Sequence, residues 1–203
     1  MAGFGRLQAA MYDPMMRGAE RGFLGSLRER LLDQAQGETL EIGAGTGLNV
    51  ARYRTPTRVV LTEPEAAMAT RLRTRAATAT VPVVVEEASA EALPFADASF
   101  DTVVSTLVLC SVAHPDRALA EVRRVLKPTG RFLFIEHGGS DDDGLARWQR
   151  RLDPVWKRVA GGCHLSRNIV EMLPAAGFRV LDLETLEPRR TGPIKPFRMG
   201  VAT

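Results

Sequence analysis

Glu41-Ile42-Gly43-Ala44-Gly45-Thr46-Gly47 decides how the chain is read. It closes the short apolar strand Thr39-Leu40-Glu41-Ile42 and precedes a stretch that reads as helix from about Leu48. Glycines at such a strand end permit a tight turn and let a ligand approach the backbone. Val59-Val60-Leu61-Thr62 reads as a second buried strand ending at Glu63, where a carboxylate can accept both hydroxyls of a ribose. Glu41 adds a second carboxylate. It would repel a pyrophosphate but attract an ammonium or a sulfonium group. No lysine follows the glycines, which excludes a phosphate-binding P-loop.

Outward from this turn, strand and helix alternate. Residues 1–36 read as helical, with Phe23, Leu24, Leu27, Leu31 and Leu32 on one stripe and Arg28, Glu29 and Arg30 between them. Pro64 opens a helix over Glu65–Ala77, and Val81–Glu87 is a third strand. Phe100–Val108 is nearly all apolar, as in a central parallel strand covered on both faces. An amphipathic helix spans Asp116–Leu126, Lys127-Pro128-Thr129-Gly130 breaks it, and Arg131–Glu136 is a fifth strand. Helices at about 145–160 and 166–176 follow, then strands at about 178–187 and 196–202. The pattern is α/β, a doubly wound sheet. The last two strands have no helix between them and can pair antiparallel.

The 203 residues are 45% hydrophobic and 25% charged, which suits one soluble domain with a sizeable core. A net charge of +3 is too small to imply a nucleic-acid partner. There is no apolar run long enough for an integral membrane segment and no signal-peptide core. Cys110 and Cys163 make neither a disulfide framework nor a recognisable metal-ligand spacing, so the expectation is no metal and a cytoplasmic setting.

With Ala90-Glu91-Ala92-Leu93-Pro94-Phe95, Ser99-Phe100-Asp101-Thr102-Val103 and Glu121 through Gly130 in the same order, residues 39–136 resemble the class I S-adenosylmethionine-dependent methyltransferases. The resemblance implies a Rossmann-like seven-stranded sheet of order 3-2-1-4-5-7-6 with the last strand antiparallel. It implies one domain over 1–203, in which 1–36 is an N-terminal helical lid and 137–177 a helical cover for the methyl acceptor. The cofactor is then S-adenosylmethionine and the product S-adenosylhomocysteine. By position, Gly43, Ala44, Gly45 and Gly47 hold the methionine part, with Glu41 near its ammonium. Glu63 holds the ribose, and Ser89, Ala90 and Glu91 lie against the adenine. Thr106 approaches the reacting centre and Tyr12 is the lid aromatic. Ser89 stands where the family usually has an aspartate for the adenine amino group.

A narrower group is also similar: methyltransferase-like proteins that methylate alkyl thiols. The shared pieces are Thr106 through Val112, Glu136-His137, Trp148-Gln149 with Leu152 through Trp156, and Gly162-Cys163-His164-Leu165-Ser166-Arg167. S-methylation needs a thiolate in line with the methyl group, and a base or cation beside it helps. His137 is the first candidate, and His164 and Arg167 follow. Asp153 could orient a histidine. Cys110 reads as a buried small residue. Trp148 and Trp156 either pack the cover or line an apolar acceptor pocket. The expected partner is a small-molecule acceptor, with the chain a monomer or homodimer. Alternatives are a quinone or phenol C- or O-methyltransferase, a phospholipid N-methyltransferase, and a non-catalytic S-adenosylmethionine-binding regulator.

Overall fold

The computed structural model describes residues 2–188 and 191–203. Its strands are β1 (Glu38–Ile42), β2 (Arg58–Thr62), β3 (Val83–Glu86), β4 (Phe100–Thr106), β5 (Leu126–His137), β6 (Val180–Leu186) and β7 (Phe197–Ala202). They form one sheet in the order β3-β2-β1-β4-β5-β7-β6. The first five strands run parallel, and β7 is antiparallel to both of its neighbours. Between β6 and β7 the described residues form only a 3-10 turn, Gly192–Ile194, so the two strands pair directly. Arg189 and Arg190 of that connection lie outside the described residues. Fold class, strand order and the antiparallel ending agree with the sequence reading.

Period-two alternation puts the central strands in two cores at once. On one face Phe132 and Phe134 of β5 pack with Leu40, Val103 and the apolar stripe of α4 (Pro115–Val125). On the other, Leu133 and Ile135 pack with Leu61 and with Leu24, Leu27 and Leu31 from the N-terminal helices. Those helices are α1 (Ala2–Ala19) and α2 (Gly25–Leu32), joined by a π-helical turn at Glu20–Leu24. The remaining helices are α3 (Ala66–Ala76), α5 (Asp143–Val159) and α6 (Ile169–Met172). No helix among the described residues is long and apolar enough to cross a membrane.

Several boundaries depart from the sequence expectation for local physical reasons. After the glycine turn there is no α-helix from Leu48, only the 3-10 turn Val50–Arg52. Gly43, Gly45 and Gly47 all take positive φ, and the Asn49 side chain turns inward to Glu41 and Thr106. Pro64 lies before the helix it was expected to open, because the Glu65 carboxylate caps α3 by accepting from the Ala67 N–H. Lys127-Pro128-Thr129-Gly130 does not precede β5 but bulges within it, shifting the β4–β5 register between Phe100 and Thr102. The expected helix over 166–176 shortens to α6 and the 3-10 turn Pro174–Ala176.

Leu133 is fully buried. Replacing it with alanine should lower the unfolding free energy by about 2–5 kcal/mol, read from urea denaturation. A loss under about 1 kcal/mol would contradict this packing.

Candidate active site

The carboxyl ends of β1, β2 and β4 open into a cleft of about 490 Å³. Gly43, Gly45, Glu63, Ser89, Ala90 and Glu91 line it together with Tyr12, which α1 brings across from the N-terminal side. A smaller cavity of about 30 Å³ continues inward past Ala44 to Glu41, Arg28 and Thr106. Ten of the eleven residues that the resemblance assigned to the cofactor line one or both cavities, the exception being Gly47. A larger surface groove between α4 and α6, about 680 Å³, is reached by none of them.

Why the turn carries glycines is visible at two positions. A Cβ on Gly43 would lie 2.6 Å from Val108 Cγ1, so a side chain there would push the β1 and β4 loops apart. Gly45 has φ +59 and nothing within 4 Å of an added Cβ, so the face it turns outward is free for a ligand.

Glu63 is buried, and each of its oxygens accepts one backbone N–H: Gly45 at 2.8 Å and Glu65 at 3.0 Å. Burial raises its pKa. Each carboxylate oxygen has capacity for a second donor, and the residue lines the cleft. The Ser89 hydroxyl oxygen accepts from the Glu91 N–H at 3.2 Å, and the Glu91 carboxylate accepts from the His114 N–H at 3.0 Å, so this wall of the cleft is held by its own turn.

Glu41 is buried at the inner cavity and already partnered. Tyr53 donates its hydroxyl to one oxygen at 2.6 Å and Asn49 donates its amide to the other at 2.9 Å. Burial pushes the Glu41 pKa up to about 7, against the stabilising Tyr53 bond and the nearby charge of Arg28. Asn49 also donates to Thr106 at 3.1 Å and accepts from Arg28 at 2.9 Å. In the sequence Arg28 stands between the apolar residues of the N-terminal helical stripe. It is 4% exposed and turned inward, paired with Glu20 at 2.8 Å. Its one sequence signal was a charge placed next to Leu27 on a buried stripe. Tyr12 is half-buried, and desolvation raises its phenol to about 12. One turn position on, Asp13 accepts from the Thr46 hydroxyl at 2.5 Å and from Arg75 at 2.7 Å, tying α1 to the glycine turn.

On the other side of β4 the buried Glu136 organises the loop that follows. Its carboxylate accepts from the Ser105 hydroxyl at 2.7 Å, from the Val108 and Leu109 N–H groups at 3.0 Å and from the Cys110 N–H at 3.3 Å. Arg167 holds the same loop from outside, donating to the Leu109 and Val112 carbonyls at 2.7 and 2.8 Å. Both contacts use Nη1, so one arm of the guanidinium is committed to the backbone.

His137, at the end of β5, is 5% exposed and does not stand alone. Its Nε2 lies 2.7 Å from Cys163 Sγ, and Trp156 donates its indole N–H to the same sulfur at 3.3 Å. Cys110 completes the group: one ligand atom each from Cys110, His137 and Cys163 lie within 4.8 Å of one another. The hydrogen bond from Cys110, and then His137 and Trp156, hold the Cys163 thiol pKa well down, while that of Cys110 is raised. Nδ1 of His137 has no hydrogen-bond partner among the described residues. The cluster brings together two cysteines and a histidine whose sequence spacing shows no recognisable ligand pattern. Spacing could not show it, because the three residues come from three different connections. His164 is partly exposed, 3.9 Å from Asp153, whose carboxylate mainly accepts from Leu165 and Ser166. Trp148 is 60% exposed and forms no part of the site's wall.

Comparison with known proteins bears on this site. Residues 40–134 match the family described as "Methyltransferase domain". The thiol S-methyltransferase TMT1B of Rattus norvegicus is 38% identical over 169 residues, 80% of this chain and 69% of the relative. The thiol S-methyltransferase TMT1A of Homo sapiens is 33% identical over 197 residues, 95% of this chain and 81% of the relative. A solved S-adenosylmethionine-dependent methyltransferase from Thermotoga maritima, described as a possible histamine N-methyltransferase, superposes with a TM-score of 0.67. It is 25% identical, with 100% of this chain and 97% of that one covered.

The raised pKa of Glu41 makes a signed prediction. A group that holds its proton more tightly when folded stabilises the protein below its ordinary value, here 4.5, and that stability is lost as pH rises through about 7. The melting temperature should therefore fall between pH 5 and 7, and Glu41→Gln should flatten that part of the profile. An unchanged slope in Glu41→Gln would place the titration elsewhere.

Proposed function

This chain belongs to the S-adenosylmethionine-dependent methyltransferase family that includes the thiol S-methyltransferases, and from that membership we propose that it methylates the sulfur of a small, largely apolar thiol. The observation that carries the acceptor class is the reach of the similarity. It extends well past residues 134 and 137 into the half that holds Cys163, and the relatives matched there are named for thiols.

S-adenosylmethionine supplies a methyl group on a sulfonium, already activated for transfer. The residues present fit it. Glu63 keeps acceptor capacity for a diol beside the open face of Gly45. Arg28 offers a buried cation for a carboxylate, and Glu41 with Thr106 lends negative and acceptor character around an ammonium. Ser89, Ala90 and Glu91 form the wall for the base. We assign α1 with Tyr12 as the lid over this cleft, and α5 with the 160–167 segment as the acceptor cover.

Positioning supplies most of the rate in such a reaction, because the donor needs little further activation. The chain's part on the acceptor side is to present a thiolate and to exclude water. We assign that part to Cys110, His137 and Cys163, whose sequence neighbours Ser111 and Gly161 line the cleft. Arg167 acts through the Leu109–Val112 loop as a positioning residue, and His164 stands at the rim. Both cysteines are free, as a reducing cytoplasm would keep them.

S-Adenosylhomocysteine formation should depend on added alkyl thiol and stay at background with catechols, quinols and amines. Turnover confined to one of those other acceptors would retain the donor and overturn the thiol. Glu63→Gln removes a charged acceptor and should weaken S-adenosylhomocysteine binding roughly ten- to a hundredfold by calorimetry. Affinity within twofold of the parent would remove Glu63 from the ribose site.

A further inference from the structure

We propose that Cys110, His137 and Cys163 form a three-ligand zinc site whose open fourth position takes the sulfur of the acceptor thiol. The proposal rests on the thiol reading for its fourth ligand, while the three protein ligands stand on geometry alone.

The donor set is two thiolates and an imidazole, the soft and borderline ligands that zinc takes in tetrahedral sites. Their atoms already lie within 4.8 Å of one another. A tetrahedral zinc with bonds of about 2.3 Å to sulfur and 2.0–2.1 Å to nitrogen would hold them about 3.5–3.8 Å apart. Small side-chain rotations reach that spacing, because the three come from the ends of rigid pieces. His137 ends β5, Cys110 sits on the loop clamped by Glu136, and Cys163 follows α5.

The fold also brings the two cysteine loops together by direct backbone contact. His164 donates its N–H to the Cys110 carbonyl at 2.8 Å. A Cβ on Gly162 would meet the Ser111 carbonyl oxygen at 2.9 Å, so only glycine lets the loops close. Around the sulfurs stand the partners that outer-shell hydrogen bonds to a metal thiolate require. Trp156 donates to Cys163, and the Ser111 hydroxyl lies 3.4 Å from Cys110 Sγ. All three ligands are buried. Ser111, which follows Cys110, also lines the cleft, so the group adjoins the cleft through that residue.

Three protein ligands leave one position for substrate, the arrangement of a catalytic zinc and not of a closed structural one. A thiol that coordinates zinc is deprotonated outright, its proton passing to solvent. The sulfur lone pair then forms the new S–C bond while the sulfonium–methyl bond breaks toward the donor's sulfur. The neutral thioether formed is a weaker ligand than the thiolate and leaves the metal.

The test uses the full chain, reduced and incubated with zinc sulfate, then desalted and assayed for metal by mass spectrometry. One zinc per chain is expected, with Cys163→Ser and Cys110→Ser each weakening zinc affinity about a hundredfold or more. Circular dichroism and S-adenosylhomocysteine binding check that each variant is folded. Cobalt(II) in place of zinc should give thiolate-to-metal charge-transfer absorption that shifts when an alkyl thiol is added. Zinc content no higher in the parent than in a Cys110→Ser, Cys163→Ser double variant would overturn the site. So would a Cys110–Cys163 disulfide that persists under reductant. Thiol methylation that survives complete chelation overturns the zinc while leaving the S-methylation reading intact. A cobalt spectrum indifferent to thiols, in a protein that methylates only another acceptor, removes both the fourth ligand and the thiol reading.

Discussion

The Glu136 carboxylate is the constraint on which the site depends. A parallel strand ends in backbone N–H groups that must find partners when the next loop turns inward. Glu136 accepts three of them in succession, from Val108, Leu109 and Cys110, and a hydroxyl from Ser105. That one buried group lets the loop after β4 leave the sheet steeply, with Leu107 in the left-handed region at φ +59. It thereby sets Val108 against Gly43 on the donor side and Cys110 against Cys163 on the other. Burying a carboxylate is expensive unless its lone pairs are used, and here all the acceptor work is structural.

The same device recurs twice along the sheet edge. Glu63 accepts two backbone N–H groups from the glycine turn and the α3 entry, and Glu41 accepts from Tyr53 and Asn49. Burial raises the pKa of all three carboxyls. Their differing surroundings divide the labour. Glu136 is wholly consumed by the loop, Glu63 faces the cleft with capacity to spare, and Glu41 is linked through Asn49 to the buried Arg28. A ligand of mixed charge meets opposite signs a short distance apart.

Most of the fold was legible in the sequence, because buried parallel strands are apolar runs and the glycine turn marks the first crossover. The antiparallel ending followed from the missing helix before β7, whereas the strand order came with the family resemblance, because alternation alone leaves it open. For the cleft the glycine turn and Glu63 stood out by themselves, and the other residues were assigned by the resemblance; ten of those eleven line the cleft or the cavity inside it. Arg28 escaped, since helical spacing alone does not say on which side of the apolar stripe a neighbouring charge will fall. The helix expected after Gly47 failed because three successive positive-φ glycines and an inward-turned Asn49 favour a tight turn. The sulfur cluster was illegible altogether. Its members are assembled only when the loop after α5 packs on the loop after β4, a contact that no local periodicity encodes.

The tie between α1 and the glycine turn makes one part of the structure sensitive to ionic strength. Asp13 bridges Thr46 on the turn and Arg75 on α3, so the helix that carries Tyr12 is fastened at the rim of the cleft by a partly exposed ion pair. Salt screens a pair of this exposure, so the hold of α1 on the glycine turn should loosen as ionic strength rises while the buried carboxylate contacts of the sheet stay as they are.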